Sequence, residues 1–177
     1  MRAFRIALNT IRAFLGVVPG DSFQVIVNKV VIVGSKRLTY FILDYWLAGL
    51  TGAANVFLKA NDVELSIAVI AMWALNFLIS YAFVMTYEKT GVDVSLGVEL
   101  RRAVERIHSE SRVAGFLALF GVLFQAVFWS GPEQIVIFFK KELPGWRKWC
   151  ALLLLTAIQT VIWMYIWRTG YEVISGG

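Results

Sequence analysis

Four charge-poor apolar stretches decide what this chain can fold into: Leu38–Leu58, Ser66–Thr86, Val113–Gly131 and Trp149–Trp167. A helix rises about 1.5 Å per residue, so a hydrocarbon core of about 30 Å takes roughly 20 mainly apolar residues. Each stretch meets that length, and only the first holds a charge, Asp44. Composition agrees, with 59% hydrophobic and 16% charged residues among 177, where soluble domains have about 45–50% and about 25%. A soluble fold of this size could not hide so much apolar surface. The sequence therefore predicts an all-α integral membrane protein with four transmembrane helices.

The first 37 residues have another character. In "MRAFRIALNTIRAFLGVV", Phe4, Leu8, Ile11, Leu15 and Val18 recur at helical spacing, with Arg2, Arg5, Asn9 and Arg12 opposite. That pattern predicts an amphipathic helix in the membrane interface, its arginines meeting lipid phosphates. A secretory signal would need an apolar run that Asn9, Thr10 and Arg12 interrupt. After Pro19–Gly20, Asp21 or Ser22 can cap a second short helix, and Lys29, Lys36 and Arg37 keep it from being a span. Residues 1–37 thus read as an interfacial segment and 38–171 as the transmembrane domain.

Lysines and arginines orient the spans. With four crossings, twelve fall at the N-terminal segment, the 87–112 loop and the tail, against five at Lys59, Lys140, Lys141, Arg147 and Lys148. Both termini are then expected in the cytoplasm. The basic cluster of the third loop resists that count. The loop 87–112, with "LRRAVERIHSESR", mixes signs at helical spacing. It reads as a solvated cytoplasmic helix extending the third span, or as a docking surface for an enzyme. "PEQIVIFFKKELPGW" (132–146) reads as an amphipathic segment on the opposite membrane face.

Each span carries polar side chains at depth: Asp44 and Asn55, Asn76 and Ser80, Gln125, then Thr156, Gln159 and Thr160. In hydrocarbon such groups turn inward and find partners. Their plain role is to bond helices together; collectively they could line a path for a polar headgroup or ion. Small residues at four-residue spacing, Ala48–Gly52 and Ala114–Ala118 with Gly115 and Gly121, predict close packing between the first and third spans or a dimer face.

No phosphate loop, HExxH or Ser–His–Asp arrangement is present. The scattered Asp21, Asp44, Asp62 and Asp93 do not make an intramembrane transferase pattern. The single His108 and single Cys150 exclude a multi-ligand zinc site and an intrachain disulfide. The expectation is a protein that is not an enzyme, without metal or cofactor. Its net charge of +5 serves topology and anionic lipid rather than nucleic acid.

The spans also fall into two halves of two, 28–91 and 111–170, each opening near a basic residue and closing on aromatic residues such as Tyr81–Tyr87 and Trp163–Trp167. With Val33–Gly34 ahead of the first span, Asp44 within it and Asn76–Phe77 in the second, the arrangement resembles the GtrA-like family of small four-span membrane proteins. Lys36–Arg37 after "VVIVG", the absence of an arginine in "SYAFVMTYEK" and residues 1–27 depart from that family's pattern. The resemblance implies the flipping or presenting of polyprenyl-phosphate-linked sugars for cell-envelope glycosylation in a prokaryotic plasma (inner) membrane. Lys36 and Arg37 would then meet the phosphate. Asp44, Asn76, Gln125 and Gln159 would receive sugar hydroxyls, and Lys140, Lys141, Arg147 and Lys148 the phosphate on the far side. The expected partners are membrane lipids, the lipid-linked sugar, and a glycosyltransferase or other membrane subunit within a homo- or hetero-oligomer. Two rival readings are an assembly subunit that docks a partner enzyme and a small ion or proton-coupled transporter using Asp44.

Overall fold

The computed structural model describes residues 2–128 and 131–175, which form helices and short links with no strand. The first helix, α1 (Arg2–Leu15), is the amphipathic helix that the arginine spacing predicts. It ends at Gly16, whose φ of +68° suits glycine. A tight turn follows. The Asp21 carboxylate accepts the Val18 N–H and the Lys29 ammonium, each at 2.7 Å, and these donors hold it below the usual carboxylate range.

Ser22 caps α2 (Phe23–Ala60), a single 38-residue helix in which a short helix and a separate span were expected. At about 57 Å it is nearly twice the hydrocarbon thickness. Its charged first part therefore need not lie in lipid. No proline interrupts it, and Lys29 and Lys36 find partners in Asp21 and Glu99. A turn through Asn61 and Asp62 leads to α3 (Leu65–Thr90), which stops at Gly91, φ +70°.

The next helix, α4 (Gly97–Glu110), starts where buried Asp93 accepts the Val98 N–H at 2.7 Å. It does not extend the third apolar stretch. The chain is extended at Ser111 and doubles back as α5 (Arg112–Phe128). Gly115 makes the fold-back: a Cβ there would lie 2.5 Å from His108 Cα. Val104 of α4, Val122 of α5 and Phe138 share one apolar cluster. Along its other side α4 carries α1, with Asn9 donating to Glu110 at 2.9 Å.

At Gly131 (φ +152°) the chain turns into α6 (Pro132–Phe138), and Pro132 occupies the helix start, where a missing N–H costs nothing. All seven residues of α6 are buried. The amphipathic surface segment expected at 132–146 is thus not formed, because Ile135, Val136, Ile137 and Phe138 are apolar on every side and need cover all round. Arg101 ties down its end, donating to the Phe138 carbonyl at 2.8 Å and to both carboxylate oxygens of Glu142. The carboxylates of Glu142 and of Glu105, 2.7 Å away, hold the Arg101 guanidinium well above its ordinary pKa. The last helix is α7 (Arg147–Ser175).

Three helices, α2, α3 and α7, are long and apolar enough to cross a membrane; α5, with 17 residues, is a shorter apolar helix. The end of the expected third span falls partly on Trp129 and Ser130, outside the described residues. The helices α3 and α7 pack antiparallel, with Asn76 donating to Thr160 at 2.8 Å and the Tyr81 and Trp149 rings 5.0 Å apart. Close approach of α2 and α7 uses Gly52, where a Cβ would meet the Trp167 ring at 3.0 Å. The small residues thus serve α2–α7 and α4–α5 contacts; α2 and α5, expected neighbours, do not touch.

Ion pairs mark the two ends of this set. At one end the α2–α3 turn meets the end of α7: Lys59 pairs with Glu172 at 3.1 Å, and Arg168 donates to Val63 O at 3.2 Å. At the other, Tyr87 and Glu88 closing α3 meet Lys140 and Lys148 ahead of and within α7. The 139–148 segment therefore stands beside the 87–112 segment, not across from it. The cause is the reversal at Gly131–Pro132, which returns the chain through α6 to the end where α5 began. Four crossings would put both termini on one side; here α1 and the end of α7 lie at opposite ends.

Candidate functional site

A stripe on α2 begins the site. Tyr40, Asp44, Thr51 and Asn55 recur at i, i+4, i+11 and i+15, the repeat of one helix face. That face turns toward α3 and α7, and between the three helices lies a cavity of about 180 Å³. From α3 come Asn76, Ser80 and Phe83; from α7 come Gln159, Thr160, Trp163 and Trp167. The turn into α6 closes one side with Gly131, Pro132 and Glu133.

Glu133 is a deeply buried carboxyl group, 4% exposed. Its Oε1 accepts the Tyr40 hydroxyl and its Oε2 the Ser80 hydroxyl, both at 2.9 Å. The carboxylate folds back over Gly131, where a Cβ would lie 2.2 Å from Oε1. Only glycine allows that return. The opposite end of α6 is held by Arg101, and Gln134 Nε2 donates to Ser95 O at 2.5 Å. A tethered short helix thus carries a carboxyl group into the middle of the bundle.

Half-buried Asn76 is fixed by its bond to Thr160, whereas the Oδ1 of buried Asn55 has no hydrogen-bond partner. Among the described residues, no lysine or arginine lines the cavity. The Arg37 guanidinium lies outside it, 5.9 Å from the centre of the Tyr40 ring. Among the described residues no three His, Cys, Asp or Glu side chains gather as a metal-binding group. Carboxylates, carboxamides and hydroxyls beside indole rings can accept hydrogen bonds from a hydroxylated ligand, or surround a cation.

The predicted residues divide accordingly. Asp44, Asn76 and Gln159 line one cavity. Gln125, on α5, does not. Lys36 is taken up by Glu99 at 3.2 Å, with Arg102 3.8 Å from the same carboxylate oxygen. Lys140 meets Tyr87 and Lys148 meets Glu88, while Lys141 and Arg147 are exposed at the same end as Lys36. Glu133 went unseen because it follows an apparent span and so read as part of an amphipathic segment on the membrane surface. The signal that could have found it is the Gly–Pro reversal followed by an all-round apolar helix. Comparisons add no assignment: no family model, no curated protein and no solved structure matches this chain.

Proposed function

We propose that the protein is a three-crossing membrane protein that receives the hydroxyl-rich headgroup of a lipid in the chamber between α2, α3 and α7. It holds or passes on that headgroup without altering it covalently. The sugar of a polyprenyl-phosphate-linked glycan is the class implied by the sequence resemblance. One observation carries the reading: Asp44, Glu133, Asn55, Asn76 and Gln159 face a single cavity at membrane depth with indole rings beside them. Acceptor-rich walls with aromatic faces suit sugar hydroxyls and the apolar faces of a sugar ring. Among the described residues the walls hold no cation, so a lipid phosphate belongs outside, where Arg37 stands exposed next to Tyr40. Lys36, Lys140 and Lys148 are engaged by protein groups and are weaker phosphate ligands than the sequence suggested.

Three crossings also support an orientation. Of 17 lysines and arginines, only Lys59 and Arg168 belong to the end formed by the α2–α3 turn and the end of α7. All others lie toward the opposite end, which becomes the cytoplasmic face. The N terminus is then cytoplasmic and the C-terminal end across the membrane. The rival docking role for 87–112 loses ground, because α1, α5 and α6 already cover much of α4. Photo-crosslinking in nanodiscs tests the sugar reading, using polyprenyl phosphate with and without its sugar. Capture of the sugar-bearing lipid, weakened in Gln159→Leu, is expected. Equal capture of the sugar-free lipid would remove the headgroup from the proposal.

A further inference from the structure

The chamber's charge does not balance. Glu133 is removed from water, and its two visible hydrogen bonds come from the neutral hydroxyls of Tyr40 and Ser80. Asp44 brings a second carboxyl group to the same cavity, and among the described residues no lysine or arginine lines it. An ionised carboxylate so placed is unstable without a positive charge or a proton. Independently, the carbonyl oxygen of Asn55 borders the cavity from a residue only 5% exposed and has no donor. Buried acceptors of this kind are ordinarily satisfied.

Among the described residues, no element around Glu133 brings a cation into hydrogen-bond contact with it. The titratable groups facing it from α2 are Tyr40 and Asp44, with Arg37 beyond the Tyr40 ring. The α3 and α7 walls present Ser80, Asn76, Gln159 and Thr160, none of which supplies a charge at neutral pH. On α4, Glu99 is paired with Lys36 and Arg101 with Glu142, at the distal end of α6. Beyond Arg112, α5 has no charged residue.

We infer that the chamber binds one small inorganic monovalent cation, an alkali-metal ion or a proton, at the carboxyl groups of Glu133 and Asp44, with Asn55 Oδ1 as a further oxygen donor to a metal ion. Calcium and magnesium fit less well, since they collect six or more oxygens in fuller cages. One such cation leaves the two carboxyl groups with a single negative charge, and the Arg37 guanidinium beyond the Tyr40 ring can offset it. The inference rests on the chamber proposed above as a binding site, but not on its ligand being a sugar.

The test uses the full chain in lipid nanodiscs with no lipid-linked sugar present. Thermal unfolding is followed by tryptophan fluorescence in sodium, potassium or choline chloride at fixed pH and ionic strength, and then across pH in choline. A saturable rise in unfolding temperature with sodium or potassium over choline identifies a metal ion, and Glu133→Gln and Asn55→Ala should lose it. If the salts are equivalent but a pH-dependent shift disappears in Glu133→Gln, the cation is the proton. Should Glu133→Gln not fold, Asp44→Asn and direct binding of radioactive sodium to the unaltered protein give the same readings. Equivalent salts, together with unaltered pH behaviour in the variants, overturn the inference. That failure leaves sugar capture untouched, and loss of sugar capture leaves a cation effect standing.

Discussion

Gly131→Ala should be among the most damaging single-methyl additions in this protein, and the structure gives its size. Gly131 has φ +152° and ψ +147°, a region that side-chain-bearing residues enter at a cost of about 1–3 kcal/mol. The added Cβ would also lie 2.2 Å from Oε1, 2.6 Å from Oε2 and 2.7 Å from Cδ of Glu133. The carboxyl group must leave, breaking its bonds to Tyr40 and Ser80, worth about 1 kcal/mol each. The expected loss is about 3–5 kcal/mol. Titration of purified protein from mild detergent into SDS, followed by tryptophan fluorescence, measures it. Gly145→Ala is the control for backbone alone: φ is +61°, nothing lies within 4 Å, and the cost should be about 1–2 kcal/mol. Gly121→Ala, in helical backbone and open space, should be neutral or slightly stabilising. In a Glu133→Ala background the Gly131→Ala cost should fall to its backbone part. A cost no larger than that of Gly145→Ala, or no coupling to residue 133, would refute the account of how α6 enters the bundle.

Two further outcomes can be checked. In a Cys150→Ser background, single cysteines at Lys59 and Arg168 should react with an impermeant maleimide from one side of the membrane, and cysteines at Lys89 and Lys141 from the other. Four crossings would instead group Lys141 with Lys59. Asn76→Leu and Thr160→Val remove the two halves of one 2.8 Å bond. A double-mutant cycle in the SDS titration should show coupling of about 0.6 kcal/mol, typical of bonds between membrane helices. Zero coupling would mean that the two side chains do not meet.

What could be read from the sequence depended on contrast. Asp44, Asn76 and Gln159 are visible because each interrupts an apolar run, and lipid forces such groups inward whatever the neighbouring helices do. The α1 pattern is visible for the same reason, since apolar and basic residues alternate at a helix period. Glu133 offers no such contrast. It stands between Gly131–Pro132 and Gln134, where ordinary loop chemistry gives the same letters, and hydropathy cannot distinguish a helix that crosses from one that turns back. The length of α2 was hidden because Lys29, Lys36 and Arg37 end an apolar run without ending a helix; their partners Asp21 and Glu99 lie elsewhere in the chain. Yet the four basic residues at 140, 141, 147 and 148 did carry information. Under four crossings they oppose the charge rule, and under three they obey it together with every basic residue except Lys59 and Arg168. A cluster that contradicts an otherwise consistent charge bias is therefore better read as evidence about the number of crossings than as a phosphate site needing its own ligand. The same reversal that moves those lysines to the basic end carries Glu133 into the chamber, so the topology and the acidic site stand or fall on one turn at Gly131–Pro132.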